Sequence, residues 1–162
     1  MTSQYIVLSR KYRPKLLEEL IGQQVVVQSL RSCLDNHKVP HAFLFHGIRG
    51  VGKTTVARIL ARTLSCTKIE TSDSNEVKAK SSMSSNPCGK CKSCIAFDQN
   101  RHLDIMEVDA ASRTGVEDIR DIIDTCQYMP VLGKYKIFII DEIHMLSKNE
   151  IEIGRASCRE RV

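Results

Sequence analysis

The sequence predicts an α/β fold built on a parallel sheet, and three observations carry that prediction. AFLFHG, residues 42–47, is a short apolar run that ends at a glycine and feeds a Gly-rich turn. KIFII, residues 136–140, is a second apolar run, ending on the acids Asp141 and Glu142. Around them lie stretches whose apolar residues recur every three or four positions, and strands that alternate with helices imply crossovers and hence parallel neighbours.

The elements follow in order. Residues 16–36, LLEELIGQQVVVQSLRSCLDN, have apolar residues near helical spacing around a break at Gly22, so two helical pieces and a turn are expected. Residues 42–47 read as a buried parallel strand. A helix follows from about 54 to 65, where VARILARTL keeps one apolar face. From 67 to 87 the chain reads TKIETSDSNEVKAKSSMSSNP, with six serines and no aromatic residue, which predicts a mobile loop. Beyond it the pattern predicts a helix near 93–100, a strand near 104–109, a helix near 116–128 and, after the breaks at Pro130 and Gly133, the strand 136–140.

The 162 residues are 42% hydrophobic and 27% charged, which suits one globular domain or most of a larger one and excludes a wholly disordered chain. No apolar run approaches the roughly 18 residues of a membrane span, and MTSQYIVLSRKYRP lacks the apolar core of a secretory signal, so a cytoplasmic location is expected. The net charge of +5 permits contact with nucleic acid without demanding it.

GIRGVGKT, residues 47–54, fits the spacing G-x-x-x-x-G-K-[ST] between a predicted strand and a predicted helix. In that setting Gly47, Gly50, Val51, Gly52, Lys53, Thr54 and Thr55 wrap phosphate groups with backbone N–H donors. Lys53 reaches the β- and γ-phosphates and the Thr54 hydroxyl takes magnesium. IFIIDEIH supplies the other half of a nucleotide site, with Asp141 beside the magnesium and Glu142 as the base that orients a water for hydrolysis.

Cys88, Cys91 and Cys94 form C-x-x-C-x-x-C within an odd total of seven cysteines, a pattern that favours structural zinc over disulfides. A closed tetrahedral site needs a fourth ligand; Cys66, at the end of the 54–65 helix, is the favoured candidate and His102 its rival. Cys33 and Cys126 fall in helical stretches and are expected in the core. Thr114 and Glu117 have capping-box spacing. With Arg113 beside that helix start, and with Ser147 and Lys148 after the last strand, they make a candidate phosphate-contacting face for DNA.

Taken together, RKYRP at 10–14, IGQ at 21–23, GIRGVGKTT, PCGKCKSC, EVDAASRTGVEDIRD and IIDEIHML resemble the gamma/tau subunits of the bacterial DNA polymerase III clamp loader, from about residue 5 to 149. The resemblance implies an AAA+ P-loop NTPase domain over 1–149, with helices on both faces of the sheet and a zinc module inserted at about 66–100. It implies zinc held by Cys66, Cys88, Cys91 and Cys94, and ATP with magnesium at Lys53, Thr54 and Asp141. It also implies a hetero-oligomer that acts on the sliding clamp and primed DNA.

Two departures accompany it. The loop between Cys66 and Cys88 is longer than is usual in that family, and the tail after HMLSKN does not continue the family pattern. EIGRASCRERV, residues 152–162, matches one reading frame of a common sequencing-library adapter, so 150–162 is expected to lie outside the domain. AAA+ sheets are ordered 5-1-4-3-2 and only strands 1, 2 and 3 precede that tail, which predicts an incomplete sheet, poor folding alone and no DNA-stimulated turnover by this stretch. DEIH by itself is also compatible with a DExH helicase fragment, and the zinc motif with an assembly module that binds nucleotide without turnover.

Overall fold

A computed structural model describes residues 7–67, 85–112 and 116–146. It is an α/β arrangement, with a short helix α1 (Leu8–Lys11), a 3-10 turn (Leu17–Glu19), helices α2 (Gln24–Asp35), α3 (Lys53–Ser65) and α4 (Lys92–Asp98), strand β1 (Ile105–Asp109), helix α5 (Val116–Cys126), strand β2 (Ile137–Asp141) and a 3-10 turn (Ile143–Met145). The predicted break at Gly22 is real: Gly22 (φ 79°) and Gln23 (φ 52°) both adopt left-handed conformations, so the chain turns sharply before α2 begins.

The helical elements supply the main apolar core. Leu30 and Leu34, one turn apart on α2, meet Val56, Ile59 and Leu60 of α3, with Leu17 sealing the end. Burying each of these side chains contributes about 1.5–3 kcal/mol, so the α2–α3 pair anchors everything else. α3 also packs against α4 and β2, which explains why Ala61, Arg62, Thr63 and Ser65 are buried beyond its apolar stripe.

β1 and β2 pair in parallel, with Ile105 opposite Ile137 and Asp109 opposite Asp141. Residues 42–47 differ from the expected strand. They have no strand ladder among the described residues, yet they keep a two-residue alternation: Phe43 and Phe45 turn inward and stack at 6.2 Å, while Leu44 is 80% exposed. A strand exists only through hydrogen bonds to a neighbour, and here a groove of about 1490 Å³ separates this segment from β2. Extended backbone with one covered face is the result.

A buried polar knot ties the sheet to the rest. The Asp104 carboxylate, 1% exposed, accepts hydrogen bonds from the backbone N–H groups of Val131 (2.6 Å), Leu132 (2.6 Å) and Gly133 (3.0 Å). Burial alone would raise that carboxyl, but the three donors outweigh it and hold Asp104 below the ordinary carboxylate range. The loop so fixed presses Gly133 against Ser65 at the end of α3, where an added Cβ would lie 3.5 Å from backbone atoms. Cys126 is exposed rather than in the core, because it ends α5 beyond the buried Ile122, and Cys33 is only half-buried. The predicted loop at 67–87 falls mostly outside the described residues, and the tail 150–162 wholly so.

Candidate nucleotide cleft and cysteine cluster

Helix α3 begins at one candidate site and ends at the other. At its start, Gly50 (φ 83°) and Gly52 (φ 93°) take left-handed conformations, while a Cβ at either position would meet nothing within 4 Å. Backbone conformation rather than crowding therefore demands glycine there. Val51 lies between them, and Lys53, Thr54 and Thr55 form the first turn of α3, whose leading N–H groups have no partners within the helix. Lys53 Nζ donates to the carbonyls of Gly47 (3.0 Å) and Ile48 (2.9 Å), so the ammonium caps the loop it would share with a phosphate.

The second half of the cleft comes from β2. Thr54 Oγ1 donates to Asp141 Oδ2 at 2.8 Å, joining residues 87 positions apart. Asp141 Oδ1 in turn accepts the N–H of Glu142 at 3.0 Å. Glu142 is left-handed (φ 51°, ψ 39°), which turns the chain out of the strand, and its Oε2 lies 3.4 Å from His144 Nδ1. Gly47, Lys53, Thr54, Asp141 and Glu142 all line the 1490 Å³ groove. A hydroxyl and a carboxylate that converge in this way are hard oxygen donors, the kind magnesium prefers.

Asp109 belongs to the same groove and was not singled out from the sequence. It stands opposite Asp141 in the register and accepts the N–H of Ala111 at 2.9 Å. The signal was present in EVDA, a strand ending on an acid, just as β2 ends on Asp141. Arg113, Thr114, Ser147 and Lys148, the expected DNA-contacting positions, lie outside the described residues.

At the other end of α3, the Sγ atoms of Cys66, Cys88, Cys91 and Cys94 all lie within 4.8 Å of one another. Cys66 caps α3, and the other three surround the start of α4. The Sγ of Cys66 is 3.6 Å from that of Cys88 and 4.0 Å from that of Cys91, too far for disulfides. Sulfurs ~2.3 Å from a tetrahedral centre stand about 3.8 Å apart, so a cluster of this size is compatible with a zinc ion.

Backbone N–H groups of Cys88, Cys91 and Cys94 point at the sulfurs of Cys66 (3.3 Å), Cys88 (3.4 Å) and Cys91 (3.4 Å), a pattern that favours thiolates. Burial resists ionisation of Cys91, but donors from Cys94 and Thr67 outweigh it and bring that thiol down to about 6. Burial pushes Cys66 and Cys94 up instead. Four neighbouring thiols cannot all ionise without a cation between them.

His102 stands apart. Its Nδ1 accepts the N–H of Asp104 (3.1 Å) and its Nε2 meets Ser93 Oγ (2.7 Å), so neither nitrogen is free for a metal. Because Nδ1 accepts, the proton sits on Nε2 and Ser93 receives it. Burial keeps His102 below its usual value, against the smaller pull of Asp104, and the neutral ring suits this arrangement.

Among the described residues, no helix is long and apolar enough to cross a membrane. A family model described as DNA polymerase III, delta subunit, matches residues 22–151. A DNA polymerase III subunit gamma from Buchnera aphidicola is 44% identical over 89% of this chain and 35% of its own length. The tau subunit of Escherichia coli is 43% identical over 90% of this chain and 20% of its own, and a gamma/tau subunit of Mycobacterium bovis is 42% identical over 88% and 23%. The chain thus spans about a third or less of these relatives. Matched by that family model over most of its length and by gamma and tau subunits over about nine-tenths of it, the chain belongs to the gamma/tau group of DNA polymerase III subunits.

Proposed function

We propose that this chain is the nucleotide-handling part of an AAA+ clamp-loader subunit, which binds ATP with magnesium in the groove at the start of α3 and hydrolyses it to load a sliding clamp on primed DNA. The observation that carries this reading is the meeting of Thr54 with Asp141 beside Lys53, at the mouth of the groove. Thr54 and Asp141 are the residues that would hold magnesium, which supplies charge neutralisation at the phosphates. Lys53 releases the Gly47 and Ile48 carbonyls and turns its ammonium to the β- and γ-phosphates. N–H groups of the Gly47–Thr54 loop bind phosphate oxygens, and Glu142 accepts the proton of the attacking water.

Zinc fits the four cysteines as a closed structural site with no position for water, which assigns it to holding α4 on the end of α3 rather than to catalysis. The working assembly is a cytoplasmic bacterial hetero-oligomer with other clamp-loader subunits. Primed DNA is assigned to Arg113, Thr114, Ser147 and Lys148. The polymerase III relationship leaves the helicase reading without support.

The experiment is a two-variant split in the full-length protein assembled with its partner subunits. Lys53→Ala should weaken triphosphate binding. Glu142→Gln should leave binding intact and slow hydrolysis by about 10²–10⁴-fold. Equal loss of binding in both variants contradicts the roles assigned.

A further inference from the structure

A second polar cleft, of about 570 Å³, lies away from the nucleotide groove, between the 13–15 segment, α3, the end of α4 and β1. Four cations line it, Arg13, Lys15, Arg58 and Arg62, against two carboxylates, Asp98 and Glu107. Four against two leaves a formal excess of two positive charges. Arg58 is engaged: it pairs with Glu107, donates to Asn100 Oδ1 (2.8 Å) and lies over the Phe97 ring (5.6 Å). Arg62, only 6% exposed, donates to Asp98 Oδ2 (3.0 Å) and to the Lys15 carbonyl (3.2 Å), yet its Nε is buried with no partner. Lys15 makes only a loose 3.7 Å pair with Asp98, and Arg13 has no partner among the described residues.

A buried guanidinium N–H without an acceptor is costly, and an unpaired arginine beside it adds to the imbalance. An anion carrying two charges and several acceptor oxygens would balance these groups. We propose that this cleft is a second anion site, distinct from the groove at Lys53, that takes a phosphate dianion. A phosphate group near neutral pH carries about −1.5 to −2, which balances the excess, and its oxygens match the fork of a guanidinium. The cations converge on one cleft instead of running along a stripe, which favours a small phosphoanion over a nucleic-acid strand.

The test is calorimetric titration of the full-length, zinc-loaded protein with inorganic phosphate in a Lys53→Ala background, so that the groove at α3 does not contribute. One phosphate per chain should bind. Adding Arg13→Ala and Lys15→Ala should weaken it at least tenfold, and Glu107→Gln, which raises the excess to three, should tighten it. The gain distinguishes a ligand site from a merely structural cluster, since damage to the fold does not improve binding. Loss of all phosphate binding with Lys53→Ala alone, unchanged affinity in the Arg13/Lys15 variant, no tightening with Glu107→Gln, or equal binding of succinate would each overturn the proposal. If Lys53→Ala leaves triphosphate binding untouched, the reading of the groove fails, whereas this site stands or falls on Arg13, Lys15 and Glu107.

Discussion

The two ends of α3 invite comparison, because one helix carries both sites and they are built on opposite plans. At the start, Lys53 and Thr54 are half-buried at the mouth of an open groove, and their partner Asp141 comes from far along the chain. At the end, Ser65 is fully buried, and Cys66 joins three cysteines that lie within seven residues of one another. An open site must admit and release a ligand, so its charged groups rest on replaceable partners such as the loop carbonyls under Lys53. The cysteine cluster, with Cys94 buried and the other three half-buried, instead turns backbone N–H groups onto its own sulfurs. One 13-residue helix thus opens on a groove at its start and closes on a cysteine cluster at its end.

The largest effect that would sharpen this contrast concerns the metal. Cys94→Ser should lower bound zinc from one per chain towards none, because structural zinc affinity is folding free energy on the order of 10 kcal/mol. Nucleotide affinity in the same protein should change by less than about threefold. Metal analysis and a nucleotide titration on one preparation check both halves. Collapse of nucleotide binding along with the zinc would mean that the two ends of α3 act as one unit, and the comparison would fail.

A smaller effect is expected at the knot that seals the far end. Asp104→Ala takes the acceptor from three N–H groups and frees the loop that presses Gly133 on Ser65, which should cost about 2–4 kcal/mol of stability. Denaturant unfolding with zinc saturating measures it. A loss under about 1 kcal/mol would show that the loop is held by something other than this carboxylate.

The smallest effect is the pH response of His102. Its folded value is depressed by burial, whereas in the unfolded chain it titrates near 6.5. As pH falls below about 6.5 the unfolded state takes up the proton first, so stability is full above that pH and declines below it, by at most about 1.4 kcal/mol per pH unit. His102→Gln, compared with the unmodified protein from pH 7.5 to 5.5 at saturating zinc, should show the shallower loss. A slope unchanged by the substitution would assign the acid sensitivity to the cysteines instead.

What could be read from sequence was local. The bounds of α3 were anticipated to within one residue, since the apolar stripe of VARILARTL and the glycines before it act over a single turn. β2 and its two acids were legible for the same reason, and so were three of the four clustered cysteines. Asp109 was missed because nothing in one strand announces which residue of another will stand opposite it.

The sequence by itself determined the pieces: a turn that only glycine can make at Gly50 and Gly52, a helix behind it, an apolar strand ending in Asp141 and Glu142, and three thiols at zinc spacing. Tertiary structure decided what the pieces meet. It brought Thr54 to Asp141, and it closed the cysteine cluster with Cys66 by occupying both nitrogens of His102. It also left residues 42–47 as an extended segment across a groove from β2. Backbone turns and amphipathic faces are fixed by neighbours a few residues away, whereas a hydrogen bond across 87 residues, a fourth ligand or a strand ladder exists only once distant segments share the same space.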